Sequence, residues 1–476
     1  MTGAPGFAAV DDVFEEFLAG SPQPGAAWGV AERGQLVHVG GRGHLWDGGP
    51  TPDGDSVFRI ASMTKSFTAT CLLGLRDAGL LALDDPAETY VPALAGRTTP
   101  TSDARPATIR DLLTMSSGLP TDDAWGDRQL PIRPERLDEL IAAGFRYAWA
   151  PGTAFEYSNL GYALLGRVVA TVGGGTYQRV VRERVLDPLG LSATGYHAAE
   201  VPNGRLAHGH QNVDGAWVEV PLAGSGEFDA MGGLFSSLRD LARWAGMFAD
   251  AFPARDGADA YGHVLARASR REMQQIHRAA PIDPFPSDRP NAVATLAGYG
   301  YGLFVEHDPD VGLLVSHPGG LPGFGSSMRW HPASGLGVVA LGNATYWGPT
   351  PPVARALDAL LASRGVTLVV EPWPETVAAQ RAVLRLLDDW DDELAAALFA
   401  ENVAMDDPLP RRRAAIEGFR ARLGALSLDA ATPPVVASPA AMTWWMTGER
   451  GRLQVRIELT PTDPPAVQTL ELTAVS

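Results

Sequence analysis

The sequence predicts an α/β chain of the segregated α+β kind. One antiparallel sheet, assembled from distant segments and flanked by helices, is followed by a small α+β domain. Three observations point there. Strand-like runs lie towards both ends of residues 1–365, with helical periodicity between them. Beyond residue 366 the pattern changes, and a Pro-rich stretch leads into helices and then three strands, giving a second domain at 366–476. A length of 476 residues, 45% hydrophobic and 20% charged, supplies enough apolar side chains for two cores.

The elements follow in chain order. Val10, Val13, Phe14 and Leu18 interleave with Asp11, Asp12, Glu15 and Glu16, as in an amphipathic surface helix. The N-terminus has no basic n-region and no apolar h-region, so no secretory signal is expected and a cytoplasmic location is. No uninterrupted run of 18 apolar residues occurs, so no membrane span is expected. Residues 26–43 read as two strands joined at Arg33-Gly34. Residues 63–80 read as a helix with Met63, Phe67, Leu72, Leu73 and Leu75 apolar. Further helical patterns lie at 108–115, 134–144, 160–171 and 236–249, and strand-like runs return at 299–306, 311–316, 325–330 and 336–342 before a helix at 352–363. In the tail, 366–375 reads as a strand and linker, 376–400 and 411–424 as helices, and 442–448, 451–459 and 466–474 as strands. Leu453, Val455, Ile457 and Leu459 alternate with polar residues, which fits a sheet covered on one face.

Composition removes several function classes. A net charge of −17 disfavours nucleic acid as a partner, because phosphate binding needs a basic face. A single cysteine, Cys71, excludes an intramolecular disulfide and a cysteine metal cluster. The close pair His208 and His210 has no carboxylate cluster beside it, so no metal is expected. No G-x-S-x-G, H-E-x-x-H or G-x-x-x-x-G-K-[ST] occurs, and Gly298–Gly302 lacks the following helix a dinucleotide site needs, so no cofactor is expected. The basic residues carry one oddity. Of 38 Lys and Arg residues, Lys65 is the single lysine. Codon bias explains an arginine excess, but guanidinium cannot lose its proton where an amine can.

Lys65 follows Ser62 by three residues at the start of the predicted 63–80 helix, which puts both on one face. A serine is a weak nucleophile until a base takes its proton, and a lysine can do so if burial lowers its pKa. The alternative is a helix-capping serine and a surface lysine. The apolar flanks Val57, Phe58, Ile60, Ala61, Met63 and Phe67 speak for a buried site instead. Two later segments carry chemistry. In Tyr157-Ser158-Asn159 the phenol can trade protons with Ser62 and the Asn159 amide can hold substrate, although a helix cap beside core tyrosines would read the same way. In His317-Pro318-Gly319-Gly320, glycines at a strand end allow close backbone approach and leave N–H groups for an oxyanion hole.

Taken together, Ser62-Met63-Thr64-Lys65, Tyr157-Ser158-Asn159 and His317-Pro318-Gly319 resemble the ordered S-x-x-K, Y-x-N and H-x-G motifs of the serine β-lactamase and penicillin-binding protein family. The class C-like branch is the nearest, with its DD-peptidases, D-aminopeptidases, family VIII esterases and acyltransferases. The stretches Thr108–Leu119 and Gly232–Ser237 match as well, and the resemblance covers about residues 8–363. It implies a β-lactamase/DD-peptidase-like antiparallel sheet flanked by helices plus an all-helical subdomain. It also implies that Ser62 is acylated, that Lys65 and Tyr157 relay protons, and that Asn159 binds the substrate amide. The backbone of Ser62 and Gly320 would hold the oxyanion, with Gly319 beside it. His317 stands where β-lactamases usually have lysine, which favours esterases and peptidases over β-lactam hydrolysis. Trp125 and Trp149, in the segment 119–150, are candidate pocket walls, with core packing as the alternative.

The expected activity is hydrolysis of a small ester, or of an amide or peptide with D-residues, through acyl-Ser62. One alternative is a penicillin-binding-protein-type thioesterase that cyclises a nonribosomal peptide. Another is a non-catalytic binding protein on the same fold. The partner in each case is a small-molecule or peptide acyl group. Capping of the site, homodimerisation and stabilisation all remain open roles for the tail.

Overall fold

Leu336–Gly342 is apolar at almost every position, and such a strand must be covered on both faces. The computed structural model, which describes residues 6–97, 99–280 and 296–475, does this with an eight-stranded sheet. Its strands and the short ones between them are β1 (Gly25–Glu32), β2 (Gln35–Gly43), β3 (Val57–Arg59), β4 (His210–Val213), β5 (Ala216–Glu219), β6 (Phe235–Ser237), β7 (Arg278–Ala279), β8 (Leu296–Tyr299), β9 (Phe304–Asp308), β10 (Gly312–Leu321), β11 (Phe324–His331) and β12 (Leu336–Gly342). The large sheet runs β2-β1-β12-β11-β10-β9-β8-β7, antiparallel throughout, while β3 pairs with β6 and β4 with β5. The first and last strands of the sheet in sequence, β1 and β12, are therefore neighbours.

Alternation along the strands divides the core. Trp28, Val30, Val338 and Ala340 face the helices Phe7–Gly20 and Thr350–Ser363, with Phe14 stacked on Trp28 at 5.0 Å. Val339 and Leu341 face the larger core around the helix Thr64–Asp77. That helix is buried almost all round, so its polar residues must find partners inside. Ser66 and Thr70 bond back to Met63 O and Ser66 O, and Thr68 reaches Ala230 O at 2.7 Å.

The chain divides into two units, Met1–Thr367 and Leu368–Ser476. The second holds helices Pro374–Asp388, Asp392–Leu398, Glu401–Asp406 and Leu409–Leu423 and a five-stranded sheet of β13 (Ser427–Leu428), β14 (Val435–Ser438), β15 (Ala441–Gly448), β16 (Gly451–Leu459) and β17 (Val467–Val475). Leu453, Val455 and Ile457 are fully buried against Val383, Ile416 and Trp444.

Several boundaries differ from the sequence reading. The run 299–306 is two strands, β8 and β9, separated at Gly300–Leu303, where Gly302 has φ +69. The strand expected at 311–316 continues to Leu321 through the His317-Pro318-Gly319 motif. No strand forms at 366–375. Leu368 and Val369 are exposed, and Pro372 and Pro374 lack the N–H a ladder needs. The helix expected at 376–400 breaks at Asp389–Asp391, where the Asp391 carboxylate caps a new helix. Strands β13 and β14 were not expected. Among the described residues, no helix is long and apolar enough to cross a membrane.

Candidate active site

Ser62 lies in a single helical turn, Ala61–Met63, that leads into the helix Thr64–Asp77. The preceding Ala61 has φ +48, a left-handed conformation that costs a residue with a Cβ about 1–2 kcal/mol. The surroundings hold it there. Ile60 N donates to Leu234 O at 3.0 Å, Ile60 O accepts from Ser326 Oγ at 2.9 Å, and Ala61 O accepts from Thr64 Oγ1 at 2.7 Å. Ser62 is thus presented on a strained turn anchored to β11 on one side and to the Gly232–Ser237 stretch on the other. Arg59 secures that stretch by donating to Gly233 O and Ala223 O, both at 2.5 Å.

Lys65 is fully buried. Its Nζ lies 2.9 Å from Ser62 Oγ, 2.7 Å from Asn159 Oδ1 and 2.9 Å from Met231 O. Burial pulls its pKa down to about 8, against the opposing charges of Asp123, Asp127 and Asp122. Tyr157 lies under the amine, with Nζ 4.7 Å from the ring centroid. Its hydroxyl is hydrogen-bonded to Ser62, and its pKa is raised well above the usual value, by burial first and then by the charge of Asp123. Thr108–Leu119 fixes the Tyr157 segment. Glu156 N donates to Met115 O at 2.8 Å and Gly152 N to Ser116 O at 2.7 Å.

Asn159 opens the helix Asn159–Gly173, capped by Ser158 Oγ. Asp122 adds a second cap, accepting from Asn159 N at 2.6 Å and Leu160 N at 2.9 Å. The Asn159 side chain is fully buried, and its Nδ2 donates to Asp123 Oδ1 at 2.9 Å. Its amide is therefore engaged inside the protein, with the oxygen on Lys65 and one N–H of the nitrogen on Asp123.

His317 is also fully buried. Pro318 O, 2.6 Å from Nδ1, can only accept, so Nδ1 carries the proton and Nε2 accepts from Tyr299 Oη at 3.1 Å. Burial and the nearby Lys65 charge lower its pKa to about 3, so the ring is neutral at physiological pH. Gly319 follows, and a Cβ there would lie 2.4 Å from Ile60 O and 2.5 Å from Ser326 Oγ. Only glycine lets β10 approach the turn that carries Ser62.

A cavity of about 580 Å³ opens onto Ser62, lined also by Tyr157, Gly319, Gly320, Phe155, Phe304, Asp123, Asp127, Tyr346 and Trp347. Lys65, Asn159 and His317 stand behind this wall rather than in it. Trp125 is displaced from its expected place. It packs edge-on against Phe228 and lines a neighbouring cavity of about 290 Å³ with Leu119, Asp122 and Leu160. Trp149 is half-exposed and donates to Glu156. Among the described residues, no three His, Cys, Asp or Glu side chains group as metal ligands.

The aspartates were missed by sequence reasoning. The signal was present only as the acids Asp122, Asp123 and Asp127 in the segment 119–150 that holds Trp125. Burial pushes the Asp127 carboxyl up to about 7, countered by Lys65 and by a hydrogen bond with Tyr346.

Comparisons with known proteins bear on the family and the fold. The chain is 32% identical to the D-alanyl-D-alanine-carboxypeptidase/endopeptidase AmpH of Escherichia coli (strain K12) over 198 residues, 40% of this chain and 49% of AmpH, so it spans about half the length of that relative. It is 30% identical to penicillin-binding protein 4 of Amycolatopsis lactamdurans over 67% of this chain and 81% of that protein. In fold it is similar to the octameric penicillin-binding protein homologue of Pyrococcus abyssi, with TM-score 0.64 and 21% identity over 98% of this chain and 99% of that one. It is also similar to a D-stereospecific amidohydrolase of Streptomyces sp., with TM-score 0.55 and 24% identity over 75% and 98%. The Beta-lactamase family model matches residues 10–363, the span that holds Ser62, Lys65, Tyr157 and His317, and the chain belongs to the beta-lactamase family, in its class C-like serine hydrolase branch.

Proposed function

We propose that the protein is a serine hydrolase that forms an acyl-enzyme on Ser62 and transfers the acyl group to water, acting on a small ester or on an amide or peptide with D-residues. The observation that carries this reading is the set of three partners around Lys65 Nζ. Asn159 Oδ1 and Met231 O are carbonyl oxygens and can only accept. A neutral amine gives them its two N–H groups and turns its lone pair to the third neighbour, the Ser62 hydroxyl 2.9 Å away. With a pKa of about 8, the amine is neutral in a useful fraction of molecules near neutral pH. Tyr157 stays a phenol, because its pKa is raised well above the usual value, so Lys65 rather than a phenolate is the base.

The chemistry then runs in two balanced halves. Ser62 Oγ bonds to the substrate carbonyl carbon as its proton passes to Lys65 Nζ. The oxyanion faces the backbone N–H groups of Ser62 and Gly320. The scissile C–O or C–N bond breaks, and the leaving group takes a proton through the Tyr157 hydroxyl. Water repeats the sequence on acyl-Ser62, releasing acid and free serine.

The cavity lining favours neutral or cationic substrates. Among the described residues, it carries the carboxyl groups of Asp123 and Asp127 and no Lys, Arg or His. AmpH, as a carboxypeptidase and endopeptidase in name, supports the peptide branch of the reading. The test is a panel of p-nitrophenyl esters, D- and L-aminoacyl amides, nitrocefin and peptidyl thioesters, with product analysis. Free acid supports hydrolysis, and a macrocycle moves the reading to acyl transfer. Fluorophosphonate labelling that persists in Ser62→Ala removes Ser62 from the reaction.

A further inference from the structure

Asn159 presents two chemically different faces, and its neighbours decide which points where. Lys65 Nζ is 2.7 Å from one side-chain atom of Asn159, and Asp123 Oδ1 is 2.9 Å from the other. A carboxylate only accepts, so the atom facing Asp123 must be the amide nitrogen. The oxygen is then left for Lys65. Were the amide reversed, its N–H₂ would face Lys65 and compete with the Ser62 hydroxyl for the amine's single lone pair. It would also leave Asp123 facing an oxygen. Packing reinforces the arrangement, since Gly126 gives Asn159 its room: a Cβ at Gly126 would lie 2.7 Å from Asn159 Cβ and 3.0 Å from its nitrogen.

We infer that Asp123 is a positioning residue that sets the polarity of the Asn159 amide and so directs the Lys65 lone pair at Ser62. The inference rests on the proposed reading that Lys65 activates Ser62. Asp123 acts through Asn159 by hydrogen bonding and directly on Lys65 by charge, and the two effects separate in experiment. The other groups that face Lys65 are Asp122 and Asp127 beside Asp123, Tyr157 and Tyr162 below the amine, and His317 from β10. Of these, Tyr157 and Tyr162 are raised above their usual range and His317 lies near 3, so they stay neutral across pH 5–9. Asp122 and Asp127 are retained in every Asp123 variant.

The experiment is the rate of fluorophosphonate labelling of Ser62 as a function of pH, followed by mass spectrometry, in Asp123→Ala and Asp123→Asn. Both variants lose the charge that raises the Lys65 pKa, so the rise in labelling with pH moves to lower pH in both. Asp123→Ala also loses the acceptor, and its plateau falls about 10- to 100-fold, the cost of a small misplacement of a catalytic group. Asp123→Asn keeps an acceptor oxygen and recovers most of that plateau. Thermal unfolding of each variant accompanies the measurement, and Asp123→Asn serves where Asp123→Ala does not fold. A limb that stays in place, or an Asn variant as slow as a folded Ala variant, overturns the inference. A wild-type protein that is not labelled at Ser62 overturns the proposed function instead.

Discussion

The amine of Lys65 lies closer to the Asn159 carbonyl oxygen, at 2.7 Å, than to the hydroxyl of Ser62, at 2.9 Å. The lysine is thus held by two acceptors that cannot exchange roles with it, and its third direction is left for the nucleophile. Arginine cannot substitute. It stays charged, and its planar fork does not fit three partners arranged about one nitrogen. Lys65→Arg is expected to lose at least ~10²-fold in kcat/KM with the fold retained, in line with losing a general base. Steady-state kinetics and circular dichroism check this, and near-wild-type turnover would take Lys65 out of the mechanism.

The pH dependence follows from the same burial. The Lys65 pKa falls from 10.5 to about 8, so kcat/KM rises with pH through that value as the amine becomes neutral. Asp127, raised to about 7, titrates in the same window, and its negative charge favours the protonated amine. The rise therefore belongs to the pair and is broader than a single ionisation. Asp127→Asn removes one of the two groups, and its profile should be sharper and shifted to lower pH. For stability the sign is also fixed. The unfolded lysine binds more protons between about pH 8 and 10.5, so the Lys65 contribution makes the fold more stable as pH rises through that window.

Tyr157 is proposed to pass the proton to the leaving group, and phenylalanine keeps the ring under Lys65 while removing the hydroxyl. Its effect should depend on the leaving group. Tyr157→Phe is expected to slow amides by about 10²-fold or more, because an amine must be protonated to depart. A p-nitrophenyl ester, whose leaving group needs no proton, should suffer less. Equal losses on both substrates would assign Tyr157 a different role.

Gly319 is where β10 meets the nucleophile turn, and its missing Cβ is the reason they fit. Gly319→Ala must push the strand from Ile60 and Ser326. A destabilisation of about 1–3 kcal/mol is expected for such overpacking, readable as a lowered denaturation midpoint. Activity should fall further than stability does, since the displaced segment carries Ser62.

β-Lactams bring a carboxylate to this site. The neutral His317 ring is spent on Tyr299 and Pro318 O, and among the described residues the cavity wall holds carboxyl groups and no cation. Nitrocefin should be turned over roughly 10- to 100-fold less efficiently than an uncharged ester, the value of one hydrogen bond to a charged group. Asp127→Asn should narrow that gap through KM. A wild-type enzyme that prefers nitrocefin would contradict the charge argument.

Much of this was readable in the sequence because some chemistry is local. Ser62 and Lys65 are three residues apart on one helical turn, and periodicity places them together without tertiary information. The strands β1 and β12 were equally plain from their apolar runs. The tertiary partners were not. Nothing in the sequence singles out Asp122 and Asp123, and only the folded chain turns one into a helix cap and the other onto Asn159. His317 was recognised by motif, but its neutrality depends on burial and on the charge of Lys65 from a distant helix. Trp125, a candidate pocket wall with core packing as the alternative, packs on Phe228 and lines a separate cavity. The failed strand at 366–375 has the same origin, because β-branched residues favour a strand only where a neighbouring strand offers hydrogen bonds.

The bond from Ser326 to Ile60 spans 266 residues of chain. During synthesis the ribosome must therefore add about 260 further residues after Ser62 before the turn that presents it is tied down. Met231, which fixes one face of the lysine, also arrives long after Lys65 itself. A nascent N-terminal fragment carries Ser62 and Lys65 on one turn but neither Asn159 Oδ1 nor Met231 O, the two acceptors that orient the amine. The surroundings of Ser62 are thus completed late in synthesis, because the residues that fix them come from distant parts of the chain.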